Sequence, residues 1–180
     1  MQKLRSLSKY IDLFKNCFAQ EHDFLIYKDA KDLTNFRDTD EFQKISDTSV
    51  DFYWATVIYF KKTEQTKIFF DLTQHIQENW DHYNSIFQVN RGIFRNDHVF
   101  SIAIHIMNGY QKGDFAHKLP GIKYYTADRD ILWDLEDDNF FFLLEKQNHL
   151  GEYTPLRIKG SSVHVMNKFS LNRIIDKGEV

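Results

Sequence analysis

A chain of 180 residues, 42% hydrophobic and 16% aromatic, is long enough to bury a real core and too apolar to stay disordered. A formal charge of −3 with scattered Lys and Arg offers no basic stripe to nucleic acid, and with only 7 Gly and no GxGxxG or GxxxxGK[ST] run there is no phosphate loop of either kind. The lone Cys17 rules out an internal disulfide and predicts a reducing, cytoplasmic setting, no apolar run reaches membrane-spanning length, and the opening MQKLRSLSKY is not a signal peptide.

Leu4, Leu7, Ile11, Phe14 and Phe18 fall at helical spacing and predict an amphipathic helix within residues 3–20. Residues 23–28 read as a strand, and the polar, acidic stretch 29–49 as a loop with a short helix. The run 51–61 is apolar on both faces, which predicts a strand central in its sheet. Thr63 caps a long helix reaching Ile86, with an apolar stripe of Ile68/Phe69, Leu72, Ile76, Trp80, Tyr83 and Phe87. A second helix starts near Asp97 and is apolar nearly all round, so it is buried. Asn96 or Asp97 is expected to cap it. Residues 109–130 form a loop-rich connection. Residues 131–135 and 139–145 read as strands, and 156–159 and 163–166 as a hairpin turning at Gly160-Ser161-Ser162. A short helix over 169–175 completes a single mixed α/β domain, its sheet covered by helices.

Few patterns carry chemistry. No HExxH, CxxC or GxSxG occurs. His75, His82, His117 and His149 sit in polar surroundings and read as solvated. His105 lies on the apolar helix and reads as a satisfied core histidine. His164 ends a short strand with Lys168 close behind. Imidazole is a common metal ligand and an ammonium suits a phosphate, although a strand histidine facing solvent is the plainer reading. Asp128-Arg129-Asp130 reads as a solvated turn. Asp97 is either a structural cap with Arg95 as its partner or a carboxylate held rigidly for work.

Four segments come in a telling order: Phe52-Tyr53-Trp54-Ala55-Thr56-Val57-Ile58-Tyr59-Phe60, Asn79-Trp80-Asp81-His82-Tyr83, Phe94-Arg95-Asn96-Asp97-His98-Val99-Phe100, and His164-Val165-Met166-Asn167-Lys168. Over roughly residues 50–170 the chain resembles the C-terminal half of phage and bacterial glycosyltransferase-like proteins. These are nucleotide-diphospho-sugar transferases of the GT-A type, distantly similar to family-eight retaining enzymes. The resemblance implies a partial GT-A-like domain over 51–175, preceded by a divergent segment over 1–50. It implies that the strand Trp54–Phe60 lines the sugar and acceptor site, with Ala55-Thr56-Val57 in place of the usual small-residue triplet. Trp54, Thr56, Arg95 and Asn96 would then bind substrate, and Asp97, as the catalytic carboxylate, would face the donor sugar. His164 would complete a Mn²⁺ or Mg²⁺ site and Lys168 would contact the diphosphate. Asn167 stands where a glycine is usual, in a turn a left-handed Asn can keep.

The family's Pro-Trp after this motif is absent, as is a strand-borne DxD. Asp38-Thr39-Asp40 has the letters but reads as loop. The expectation is a glycosyltransferase-like domain that transfers sugar from a nucleotide-diphosphate donor if complete or complemented. A partner chain bringing the nucleotide-binding half, or self-association, is expected with it. The rivals are a non-catalytic remnant or interaction module of the same ancestry, and a metal-dependent hydrolase built on Asp97 and His164.

Overall fold

A computed structural model of the chain describes residues 11–28, 30–33, 37–38, 45, 50–89, 94–120, 124–146 and 149–177. It divides into two compact units. A helical unit comprises Lys15–Asp29 and Thr39–Pro120, and a strand-rich unit comprises Met1–Phe14, Ala30–Asp38 and Gly121–Val180. The class is mixed α/β, and the described residues form three small sheets in place of one large one.

In the helical unit, β1 (Phe24–Tyr27) is a four-residue apolar run buried at every position. It pairs antiparallel with β4 (Trp54–Phe60) and parallel with β5 (His117–Lys118), giving the order β4-β1-β5. The strand expected to be central, β4, is therefore at an edge. The reason is visible in its side chains: Thr56 and Phe60 are exposed, whereas β1 has no outward-facing position. Phe24 pairs with Phe60 and Ile26 with Ile58, and a bulge follows before Tyr27 meets Trp54.

Helix α1 (11–18) buries Cys17 and sets Phe18 edge-on to Tyr59 at 5.6 Å. Burial pushes the Cys17 thiol up, so it behaves as a small hydrophobe. The expected N-terminal part of this helix, over 3–10, lies outside the described residues.

Thr63 caps α2 (Glu64–Glu78) as expected. Its Oγ1 accepts the Thr66 N–H at 3.3 Å and the Thr66 Oγ1 accepts the Thr63 N–H at 3.0 Å, so two orphan donors are satisfied reciprocally. Phe69 and Ile76 of the expected stripe are wholly buried. The helix does not run unbroken to Ile86. Asn79 leaves helical geometry at φ −117° and ψ 35°, its side chain donating to the His75 carbonyl, and α3 (Trp80–Ile86) begins after it. Asparagine competes well for backbone groups, which is why it ends helices more readily than it continues them. Helix α4 (Asn96–Met107) buries Val99, Ile102, Ala103 and Ile104 and packs against α2 and β4. Phe69 lies at the centre of the aromatic core, within 5.4 Å of Phe24, Phe70, Phe100 and Phe115.

In the strand-rich unit, β2 (Ala30–Asp32) and β3 (Arg37–Asp38) occupy part of the stretch expected to be loop and short helix; most of that stretch lies outside the described residues. They join β6 (Tyr124–Ala127) and β10 (Ser162–Val165) in the order β10-β6-β2-β3. Strands β7 (Leu132–Glu136), β8 (Asn139–Lys146) and β9 (His149–Lys159) form an antiparallel meander. The expected hairpin between the segments on either side of Gly160 is not made. Gly160, at φ +64°, turns the chain, but β10 then pairs in parallel with β6, Val163 opposite Tyr125. Strand β9 already has β8 as its partner through a long register. Leu33, Ala127, Leu132, Phe142, Leu144, Ile158 and Ile174 form this unit's core, closed by α5 (Lys168–Asp176). No helix among the described residues is long and apolar enough to cross a membrane.

Candidate functional site

Asp97 lies in the first turn of α4, beside the edge strand β4. Its Oδ1 accepts the Ala55 N–H at 2.9 Å and its Oδ2 accepts from the Arg95 guanidinium at 2.7 Å. The Arg95 guanidinium also sits 5.6 Å over the Trp54 ring. One turn on, the Ser101 hydroxyl donates to the Asp97 carbonyl at 2.7 Å and accepts the Tyr53 N–H at 2.8 Å. Two side chains of α4 thus serve backbone N–H groups at the start of β4, at Ala55 within it and at Tyr53 just before it. Asp97 does not cap its helix, and neither does Asn96. The N-cap is Arg95, in extended conformation and without a side-chain cap bond. The Asn96 Oδ1 instead accepts from Gln77 at 3.4 Å.

The motif residues of β4 and α4 therefore meet: Trp54 with Arg95, and Ala55 with Asp97. Trp54 is buried, while Thr56 faces solvent. His98, one turn into α4, is buried and stacks on Trp80 at 6.2 Å.

His164 and Lys168 belong to the other unit. His164 is half-buried on β10, its Nδ1 sharing a hydrogen bond with the Tyr124 hydroxyl at 3.0 Å. Asn167 is not in a left-handed turn. At φ −80° and ψ 119° it is the N-cap of α5, accepting the Ser170 N–H at 3.1 Å. Lys168 is the first residue of that helix and is exposed. Of Asp38-Thr39-Asp40, which reads as loop, Asp38 ends β3, and Thr39 and Asp40 lie outside the described residues. His164 is a single ligand, and among the described residues no three His, Cys, Asp or Glu side chains are grouped to hold a metal ion. Those residues do not by themselves make a Mn²⁺ site.

Asp130 is exposed in a bend, as the solvated-turn reading expects, but its carboxylate is also engaged. It accepts from the Ser170 hydroxyl at 2.8 Å and takes the Arg173 Nη2 on both oxygens at 2.8 and 2.7 Å. The Arg173 hydrogen bonds hold its carboxyl below the ordinary carboxylate range, with Ser170 helping and burial opposing.

Sequence reasoning missed a cleft of about 100 Å³ at the C-terminal end of α4, lined by Asp51, Tyr53, Ser101, His105, Tyr110 and Lys112 among others. Lys28 pairs with Asp51 at 2.7 Å and lies 5.4 Å over the Tyr53 ring. Burial pushes the Tyr53 phenol up, with the Lys28 ammonium working against it and Asp51 adding to the rise. Burial lowers His105, and the Asp51 carboxylate opposes that. His105, which reads as a satisfied core histidine, is half-buried at this cleft; its neighbours were not legible. Lys28, Asp51, Tyr53 and His105 come from separate segments, and no local pattern links them. Tyr110 holds a left-handed φ of 62° after Gly109 at 70°, which sets its ring edge-on to His105 at 5.8 Å.

Comparison with family models, curated proteins and solved structures gives no match.

Proposed function

We propose that this chain is a glycosyltransferase-like domain of partial GT-A architecture, one that transfers sugar from a nucleotide-diphosphate donor when complete or complemented. The observation that supports this most is the meeting of the Trp54-Ala55 and Arg95-Asp97 motifs through the Ala55–Asp97 hydrogen bond at 2.9 Å. A strand and a helix start that are far apart in sequence form one rigid polar corner next to an aromatic wall, which suits the positioning of a sugar ring. Lys168 adds a second point. A cation in the first turn of a helix opposes the macrodipole at a cost of about 0.3–1 kcal/mol, an unfavourable placement that suits attraction of an anionic diphosphate. The resemblance gives Asp97, in the helical unit, the sugar-facing role, and His164 and Lys168, in the strand-rich unit, the diphosphate-facing role. A metal ion, if bound, would offset charge on the departing group.

A second reading, a non-catalytic interaction module of the same ancestry, is favoured by one fact: both Asp97 oxygens already carry structural contacts. Exposed Trp133, Leu150 and Phe169 would then meet a partner chain or a second copy.

Calorimetric titration of the whole chain with uridine diphosphate sugars and Mn²⁺ tests the choice. The transferase reading expects saturable binding that is weakened in Lys168→Ala and His164→Ala. Absence of binding by folded protein, with self-association in sedimentation, leaves the module.

A further inference from the structure

We propose that the cleft beside His105, in the helical unit, binds a neutral hydroxylated small molecule, a sugar ring or a short polyol, between Asp51 and Tyr53 on one wall and His105 and Asn108 on the other. Helix α4 meets the chain at the start of β4 in regular steps. Asp97 accepts from Ala55, and one turn on Ser101 accepts from Tyr53. The next step along both segments sets His105 against Asp51. No hydrogen bond joins those two, and the cleft opens there instead. The side chains share its walls. Ser101, His105 and Asn108 follow one another at helical spacing along one stripe of α4 and its C-cap. Asp51 and Tyr53 share a face, since Lys28 reaches both, 2.7 Å from the Asp51 Oδ2 and 5.4 Å over the Tyr53 ring. Phe52, between them, turns instead to His98 at 5.8 Å.

The cleft holds about 100 Å³. Sites for drug-sized ligands run to about 300–1,000 Å³, so this one takes a single ring or a short chain and no nucleotide. A ligand there meets hydrogen-bonding capacity of both kinds. Asp51 gives Oδ2 to Lys28 and keeps Oδ1 as an acceptor. The Asn108 Oδ1 takes the Phe115 N–H, which leaves its amide nitrogen as a donor. The His105 ring has Phe87 and Tyr110 edge-on to it and, among the described residues, no hydrogen bond. Burial keeps that ring neutral at pH 7, so it offers one donor and one acceptor. A hydroxyl both donates and accepts, so a run of hydroxyls matches this mixture, whereas a carboxylate only accepts and an ammonium only donates. Charge points the same way. The Asp51 carboxylate is already balanced by Lys28, so an added anion meets Asp51 and an added cation meets Lys28. Lys112, at the exposed rim, is screened by solvent. Ile104 and the Tyr110 ring supply apolar surface for C–H groups. The inference stands apart from the transferase reading. His105 lies about 12 Å along α4 from Asp97, too far for one ring to touch both.

The test titrates the full chain with methyl glucoside, methyl galactoside, mannitol and glycerol, and with acetate and ethylammonium at the same concentrations. Ring signals of His105 and the Gly113 amide report binding. At least one hydroxylated probe should shift both signals saturably, and neither charged probe should. Saturation by the glycosides alone assigns a sugar ring, and saturation by mannitol or glycerol an acyclic polyol. His105→Leu, read at Gly113, should weaken the tightest probe about tenfold, the loss of a hydrogen bond whose partner is left unpaired. Should that variant fail to fold, Tyr110→Ala decides, since its ring is exposed; it should weaken the same probe about threefold. The probes carry neither nucleotide nor metal, so failure here and failure of the donor titration are separate results. No saturable shift with any hydroxylated probe, shifts as large with acetate or ethylammonium, or affinity unchanged in both variants would overturn the proposal.

Discussion

The Asp97 Oδ1 accepts the Ala55 N–H at 2.9 Å, joining the first turn of α4 to the edge strand β4. Removing that acceptor strands a part-buried donor and leaves Arg95 without its carboxylate. Asp97→Ala should therefore cost about 1–3 kcal/mol of stability. Asp97→Asn keeps an oxygen for Ala55 and should cost less. Ser101→Ala, which deprives the buried Tyr53 N–H of its acceptor, should match Asp97→Ala. Urea unfolding measures all three, and an Asp97→Ala midpoint equal to wild type would show that the hydrogen bond does not brace the corner.

Asp130 ties the loop before β7 to α5 through Ser170 and Arg173. Its carboxyl is held below the ordinary value, so the folded state binds fewer protons than the unfolded chain near that value. The contribution is fully present above about pH 4 and fades as pH falls through the lowered folded value. With the carboxylate partly exposed, solvent screening limits it to about 1 kcal/mol. Asp130→Asn should lose that amount at neutral pH, and its stability should fall less than wild type on acidification. A thermal melting series across acid pH tests this, with parallel curves as the contrary result.

His105 has the opposite charge type and the same pH direction. Burial lowers its pKa, so below about pH 6.5 the unfolded chain takes up the proton first and stability declines. His105→Gln should flatten the stability profile between mild acid and neutrality while leaving acid loss below pH 4 in place. A wild-type slope retained by the variant would assign the titration to another histidine.

Gly113 has no room for a side chain. A Cβ there would stand 2.5 Å from the Asn108 Oδ1 and 2.7 Å from its Cγ. Asn108 cannot swing away without dropping the Phe115 N–H that its Oδ1 accepts at 3.0 Å. Gly113→Ala should destabilise by about 1–3 kcal/mol. Hydrogen exchange at the Phe115 amide should accelerate in the variant; unchanged protection would mean the loop adjusts elsewhere.

What the amino-acid order determined by itself is local. Thr63 as a cap, Phe69 and Ile76 as a buried face, the apolar α4, the short strand β1, the β7 and β8 strands and the closing α5 all rest on contacts a few residues apart, so spacing and side-chain chemistry suffice. Tertiary structure decided which neighbour each element met. An apolar run states that it will be buried, not beside what. Strand β4 therefore read as central although β1 took that place, and β10 read as the partner of β9 although β6 claimed it. Asp97 was legible as a rigid carboxylate at a helix start, but its attachment to Ala55 was not, because the donor is a backbone N–H that lacks any sequence mark. The same holds for Arg157 on Asn139 and for Lys28, Asp51, Tyr53 and His105 around their cleft: polar groups distant in sequence converge only when the backbone has folded, and no periodicity records where they will meet.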